Sequence, residues 1–328
     1  MFIESATGCT GACVACGEPV TPSRIDPARL RKWVFDLPPV PQLALDALAT
    51  LRDDRSSAET CAARIGRDPP LAARALRLAN SVFYGMAGRI GSLTDAVHVL
   101  GRRQLHEVVT VGMVVGLKLR INRRPGFDHR GFWGHSLGAA IAARGIAREL
   151  AQDEGLAFTG GLLHDIGGLV LAQHFDEYPH PVAPVPCRHG DSMCRMELHL
   201  LGIDHAEVGE AIVSSWRLPQ ELAMAIRRHH EAWRPHAGTA MAVDLAGVVH
   251  AADSMIHAFS GGELAFASDE PAAWEVLGLK PPQIAQILQQ VEEGVTALGA
   301  VFEAPQRRQY DGQESFRPSG GTAAASGP

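Results

Sequence analysis

The stretch GGLLHDIGGLVL, running from Gly160 to Leu171, decides how this chain is read. It sets His164 and Asp165 side by side inside an otherwise apolar helical run. Burying two ionisable groups is costly unless each finds a partner. A metal ion is one partner that would serve both side chains; a hydrogen-bonded structural pair is the plainer alternative. The choice depends on what other helices bring to the same place.

The surroundings read as helix. The 328 residues are 46% hydrophobic and 20% charged, ordinary for a globular protein and enough for one large domain or two modest ones. Only 6% are aromatic while alanine and leucine abound, which favours packed helices over sheets. In PQLALDALATL, Ala44, Leu48 and Leu51 form one apolar stripe at i, i+4 and i+7. In RSSAET, Ser56 with Glu59 three residues on reads as a capping box. Ser92 ahead of Asp95 caps another helix, which Gly101 is expected to stop. A long helix is expected from Gly131 to Ala151, followed by one through GGLLHDIGG. Pro179, Pro181, Pro184 and Pro186 rule out a regular helix between them. No alternating strand pattern occurs.

The expected fold is therefore all-α, with two helical subdomains over 28–125 and 130–262. A Cys/Gly-rich tail (1–27) precedes them; a C-terminal helical extension (263–304) and a polar tail expected to be disordered (305–328) follow. The basic residues Lys118, Arg120, Arg123, Arg124 and Arg130 read as a solvated hinge between the subdomains.

A net charge of −6 gives no general reason to expect a nucleic-acid partner. No apolar run approaches the roughly 18 to 20 residues that span a bilayer, so no membrane association is expected. The N-terminus lacks the basic start and apolar core of an export signal. The expected location is the cytoplasm, with the six cysteines as reduced thiols.

Titratable residues recur on the inward faces of the helices. His135 shares a face with Ala139, Ala142 and Ile146, and His205 with Val208 and Ile212. His229 lies three residues beyond Ile226 and His230 four, while Asp253 sits with Val249 and Ile256. At least five helices would then point an imidazole or a carboxylate inward. Any one such histidine is readily explained as a hydrogen-bonded core residue. Together with His164 and Asp165 they form a donor set suited to Fe, Mn or Zn, and in a carboxylate-rich variant to Mg.

The order His135, His164-Asp165, Asp253 resembles the H…HD…D ligand order of the HD superfamily of metal-dependent phosphohydrolases. His205 and the pair His229-His230 resemble the additional histidines of its HD-GYP branch, which hydrolyses cyclic di-GMP. The chain is most similar to the HDOD branch, the HD-related output domains of bacterial signalling proteins. LPPVPQLALDAL, IGRDPPLAARALRLANSVFYG, IGSLTDAVHVLG, WGHSLGAAIAAR, GGLLHDIGGLVL, LGIDHAEVGEAIVSSWRLPQELAMAIRRHHE and VVHAADSM carry that resemblance. It implies an HDOD domain over 28–262, with an HD-like bundle as its second half. It also implies a non-catalytic signalling regulator that binds protein partners or a nucleotide.

Two departures from the cyclic di-GMP hydrolases support that implication. Their HDIGK lysine is replaced by Gly168, and HHEAWRPHAG lacks their Gly-Tyr-Pro signature. The alternative is a metal-dependent phosphohydrolase acting on a nucleotide or cyclic dinucleotide. In that case His135, His164, Asp165 and Asp253 would hold one metal, and His205, His229 and His230 would serve a second. Separately, Cys9, Cys13 and Cys16 are spaced like one knuckle of a zinc ribbon without its second half, so free thiols and a local zinc site both stay open.

Overall fold

The computed structural model of the chain describes residues 40–80, 89–118, 127–174, 191–231, 243–260 and 272–302, with isolated residues between 26 and 37. Among the described residues every regular element is a helix and there is no strand. Cys9, Cys13 and Cys16, the proline-rich segment at 179–186 and the tail from 305 lie outside them, as does most of the basic run expected to form a hinge.

Three short helices open the described chain: α1 (Gln42–Arg52), α2 (Ala58–Ile65) and α3 (Pro69–Ala79). Each lays an apolar stripe against its neighbours, with Ala44, Ala47 and Leu51 buried on α1 and Leu71, Ala75 and Leu78 on α3. The N-cap of α2 is Ser57, which accepts from Thr60 N, and not Ser56 as the sequence spacing suggests. Two adjacent serines offer the same chemistry, and the later one meets the free backbone N–H groups. On α3, Asp68 caps and prolines fill the first turn, where no N–H is needed.

The long helix α4 (Leu93–Lys118) packs on all three. Ser92 caps it by accepting from Asp95 N at 3.0 Å. Gly101 does not stop it. At φ 72° and ψ 168° it makes a kink that only glycine adopts freely, and a second helical run continues directly.

Helix α5 (His129–Glu149) is the central post of the second half, and nearly every residue from Phe132 to Ala147 is buried. Helices α6 (Glu154–Leu163), α11 (Leu245–Ser260) and α13 (Pro281–Phe302) all pack against it. Its small residues permit close contact. A methyl group added at Gly145 would meet Ile287 of α13 at 2.8 Å, and one at Gly138 would meet Ile256 of α11 at 3.3 Å. The remaining helices are α7 (Ile166–His174), α8 (Asp191–Leu201), α9 (His205–Ser215), α10 (Gln220–Arg228) and the single turn α12 (Ala273–Val276).

The segment from Glu154 to His174 is 21 residues long and its most apolar 18-residue window has a mean hydropathy of 1.4, so an apolar stretch of spanning length does exist. Of its most apolar window, 89% is buried inside the protein. It is a core element, and it is not one helix: α6 ends at Leu163 and α7 begins at Ile166. The continuous helix expected through GGLLHDIGG is therefore broken at His164-Asp165. On an unbroken helix adjacent side chains diverge by roughly 100°. Across the break the two side chains come together, His164 Nε2 lying 3.2 Å from Asp165 Oδ2.

Candidate metal centre

Two close helix crossings deliver the side chains. At Gly161 an added Cβ would lie 2.6 Å from the Ala139 carbonyl oxygen and 2.7 Å from Ala140 Cα, so α6 crosses α5 backbone against backbone. His135 lies one turn before that crossing and His164 one turn beyond it, and their Nε2 atoms are 3.2 Å apart. At Gly167 an added Cβ would lie only 2.0 Å from the His205 carbonyl oxygen. That crossing of α7 over the start of α9 sets Asp165 beside His205. The glycines flanking His164-Asp165 are thus the means by which other helices reach the pair.

Asp165 divides the cluster. Its Oδ2 faces His164 Nε2 at 3.2 Å and His135 Nε2 at 3.7 Å. Its Oδ1 faces His205 Nε2 at 3.3 Å and His229 Nε2 at 3.5 Å. On the Oδ2 side, Asp253 Oδ1 comes within 3.1 Å of His135 Nε2 and 3.5 Å of His164 Nε2. On the Oδ1 side, His230 Nε2 lies 2.8 Å from His205 Nε2. Two donor groups result, His135/His164/Asp253 and Asp165/His205/His229/His230, with ligand atoms in each within 4.8 Å of one another. The seven side chains singled out in the sequence all meet here, drawn from five parts of the helical scaffold.

The outward nitrogens are already committed. His164 Nδ1 donates to the Gly161 carbonyl and His229 Nδ1 to the Ile226 carbonyl, each at 2.7 Å. A carbonyl oxygen can only accept, so these Nδ1 atoms carry hydrogen, and whenever such rings give up their second proton the Nε2 lone pairs point into the cluster. There they face one another and two carboxylates. Nothing but a positive charge makes that arrangement favourable.

The electrostatics agree. Burial favours the neutral acid of Asp165, yet His164, His205 and His229 outweigh it and hold its pKa well below the ordinary range. Burial opposes ionisation of Asp253 too, but His257, His135 and His164 hold it low as well. His164 loses basicity to burial and regains more from Asp165 and Asp253, reaching about 10. Burial, with positive charge on neighbouring rings, pushes His229 down and His230 well down. Protons and a divalent cation compete for the same lone pairs.

The residues fit a metal. His229 Nε2 and Asp253 Oδ1 are buried without a hydrogen-bonded partner, and both look into the cluster. The donors are imidazole nitrogens and carboxylate oxygens, with the outer nitrogens braced by a second layer of acceptors. The imidazole majority suits Fe, Mn or Zn better than Mg. Each oxygen of Asp165 faces one of the two donor groups, an arrangement in which the two groups would hold one ion each. The cluster is also reachable, since the side chain of Asp165 keeps 19% of its surface exposed while that of His164 keeps none.

Four neighbours were not foreseen. His257 lies 3.3 Å from Asp253 Oδ1 and is raised to about 9, chiefly by that carboxylate. It is four residues from Asp253, so helical period alone could have found it. His250 Nδ1 donates to the His229 carbonyl at 2.8 Å. Glu197 and Cys194 of α8 stand behind His205, with Glu197 Oε2 at 2.7 Å and Cys194 Sγ at 4.0 Å from its Nδ1. Nothing local in MCRMELHLLG marks Glu197 as buried.

The family profile described as the HDOD domain matches residues 37–232, more than half of the chain. The chain belongs to the HDOD family. Asp253 and His257 lie beyond the matched segment of this HDOD protein. A crystal structure from Shewanella amazonensis SB2B, provisionally named as a phosphohydrolase, is 27% identical, with a TM-score of 0.61 over 83% of this chain and 97% of that one. Another from Marinobacter aquaeolei VT8, provisionally named as a signal transduction protein, is 25% identical, also with a TM-score of 0.61, over 87% of this chain and 63% of that one. An uncharacterized protein of Treponema pallidum (strain Nichols) is 24% identical over 64% of this chain. The chain spans 40% of that curated relative's length.

Proposed function

We propose that this HDOD protein is a metal-holding regulator of signal transduction in the bacterial cytoplasm, acting by binding a protein partner or a nucleotide without phosphoester turnover. The observation that carries the proposal is the company the two carboxylates keep. Among the described residues, every ion-pair partner of Asp165 and Asp253 is a histidine. Three residues after Asp165, where the hydrolases it resembles place a lysine, stands buried Gly168. The ligands are kept and a cation for a substrate phosphate is missing from that position.

A second reading, metal-dependent phosphohydrolysis, is favoured by the exposed edge of Asp165. A bound divalent metal would supply an acidified water and polarise a phosphoryl oxygen. The chain's own part would be to hold both carboxylates ionised and to keep the Nε2 lone pairs aimed inward. The two readings separate in a screen of nucleotide and cyclic dinucleotide phosphoesters with the protein loaded with Mn, Fe or Mg. The proposal expects turnover no greater than that of His164→Ala or Asp165→Ala, alongside binding of a nucleotide or protein partner. Turnover abolished by both substitutions would overturn it.

A further inference from the structure

The imidazoles of the cluster are braced by different acceptors, and within the second donor group one ring differs from its neighbour. Behind His164 and His229 stand backbone carbonyls, those of Gly161 and Ile226, each at 2.7 Å from Nδ1. Behind His205 stands a carboxylate. The Glu197 side chain is wholly buried, and its Oε2 accepts from both the backbone N–H and the Nδ1–H of His205, each at 2.7 Å. His205 is the first residue of α9, where a helix leaves its backbone N–H free, so one oxygen fixes both the start of the helix and the ring mounted on it. With Nδ1 held, Nε2 is turned towards Asp165 Oδ1 at 3.3 Å and His230 Nε2 at 2.8 Å.

We propose that Glu197 is a positioning residue for the second metal position, the one formed by Asp165, His205, His229 and His230. The inference rests on the two-metal reading above and deepens it by making the two positions unequal. An anionic acceptor strengthens the Nε2 donor more than a neutral carbonyl does, and it adds a buried negative charge one ring away from the ion. The position formed by His135, His164 and Asp253 holds no ring braced by Glu197; behind His164 stands the Gly161 carbonyl. Removing the carboxylate should loosen one ion and leave the other.

The test uses the full chain, stripped of metal and titrated with Mn(II), with bound and free ion followed by calorimetry and electron paramagnetic resonance. The wild type is expected to take two equivalents. Glu197→Gln should keep the first and bind the second about 10- to 100-fold more weakly, the usual scale for losing such an outer partner. Retention of the first equivalent reports that the fold is intact. Should Glu197→Gln fail to fold, Glu197→Asp, which withdraws the carboxylate by one methylene, should show a smaller loss confined to the same equivalent. A wild type that takes no Mn(II) would overturn the metal reading itself. Two equivalents in the wild type, with both unchanged or both equally weakened in the variant, would overturn the assignment of Glu197 alone.

Discussion

Helix α5 carries an ionisable group towards each end, buried Arg144 near its C-terminus and half-buried His135 near its N-terminus, and the two surroundings differ in kind. Arg144 meets the buried carboxylate of Glu107 on α4. Around them Arg148 and Arg103 reach Glu154 at 2.7 and 3.3 Å, and Arg52 pairs with Asp153. Guanidinium groups stay charged at any relevant pH, so that cluster is neutralised within the chain. At the other end Asp165 and Asp253 face imidazoles, which are cationic only when their lone pairs take up a proton. One cluster is complete as folded. The other is neutralised only when protons or a metal ion occupy its imidazole nitrogens, and this contrast is the physical basis for reading it as a candidate metal centre.

The contrast can be broken at the first cluster. Arg144→Ala leaves Glu107 buried and unpaired, and burial already pushes that carboxyl upward. The expected loss is about 3–5 kcal/mol in denaturant unfolding. Replacing Glu107 and Arg144 together by Leu and Met should recover most of it, since a packed apolar pair removes the unpaired charge. No such rescue is expected where a metal is needed.

A neighbouring histidine sharpens the difference by pH. Burial lowers the pKa of His106 to about 4, with Arg52 adding to the fall and Asp153 opposing it. The unfolded chain therefore binds this proton more readily than the folded one. The stabilisation is fully present above about pH 6.5 and drains away as the pH falls towards 4, amounting to about 3 kcal/mol. A stability–pH curve should lose that slope in His106→Gln.

A smaller effect should follow at the helix crossing. Gly167→Ala forces a methyl group against the His205 carbonyl, and overpacking of this kind costs about 1–3 kcal/mol. Because His205 is what the methyl displaces, the donor cluster should suffer beyond the loss of stability. Metal affinity and thermal melting measured on one sample check this; weaker melting with unchanged affinity would count against it.

Much of this was legible in the sequence. Helical period placed His135, His205, His229 and Asp253 on inward faces, because an amphipathic helix declares its buried side. The pair His164-Asp165 was conspicuous because burial of two such groups is costly. The helix break between them was not legible, since Leu163 and Ile166 carry strong helical character on either side. The reason for the break is tertiary: Gly161 and Gly167 admit other backbones on opposite sides of it. Glu197 was invisible for a related reason. Only the fold of α8 against the start of α9 shows that its carboxylate is buried behind an imidazole. Ser56 and Ser57 are equivalent locally, and only the emergence of the backbone chose between them.

The most direct test of the central claim is elemental analysis of the intact, purified chain after equilibration with Mn, Fe or Zn, beside Asp165→Ala. Two divalent ions per wild-type chain are expected, with loss of both when the carboxylate facing both donor groups is removed. A folded wild-type chain that takes up no ion from any of the three metals would contradict it.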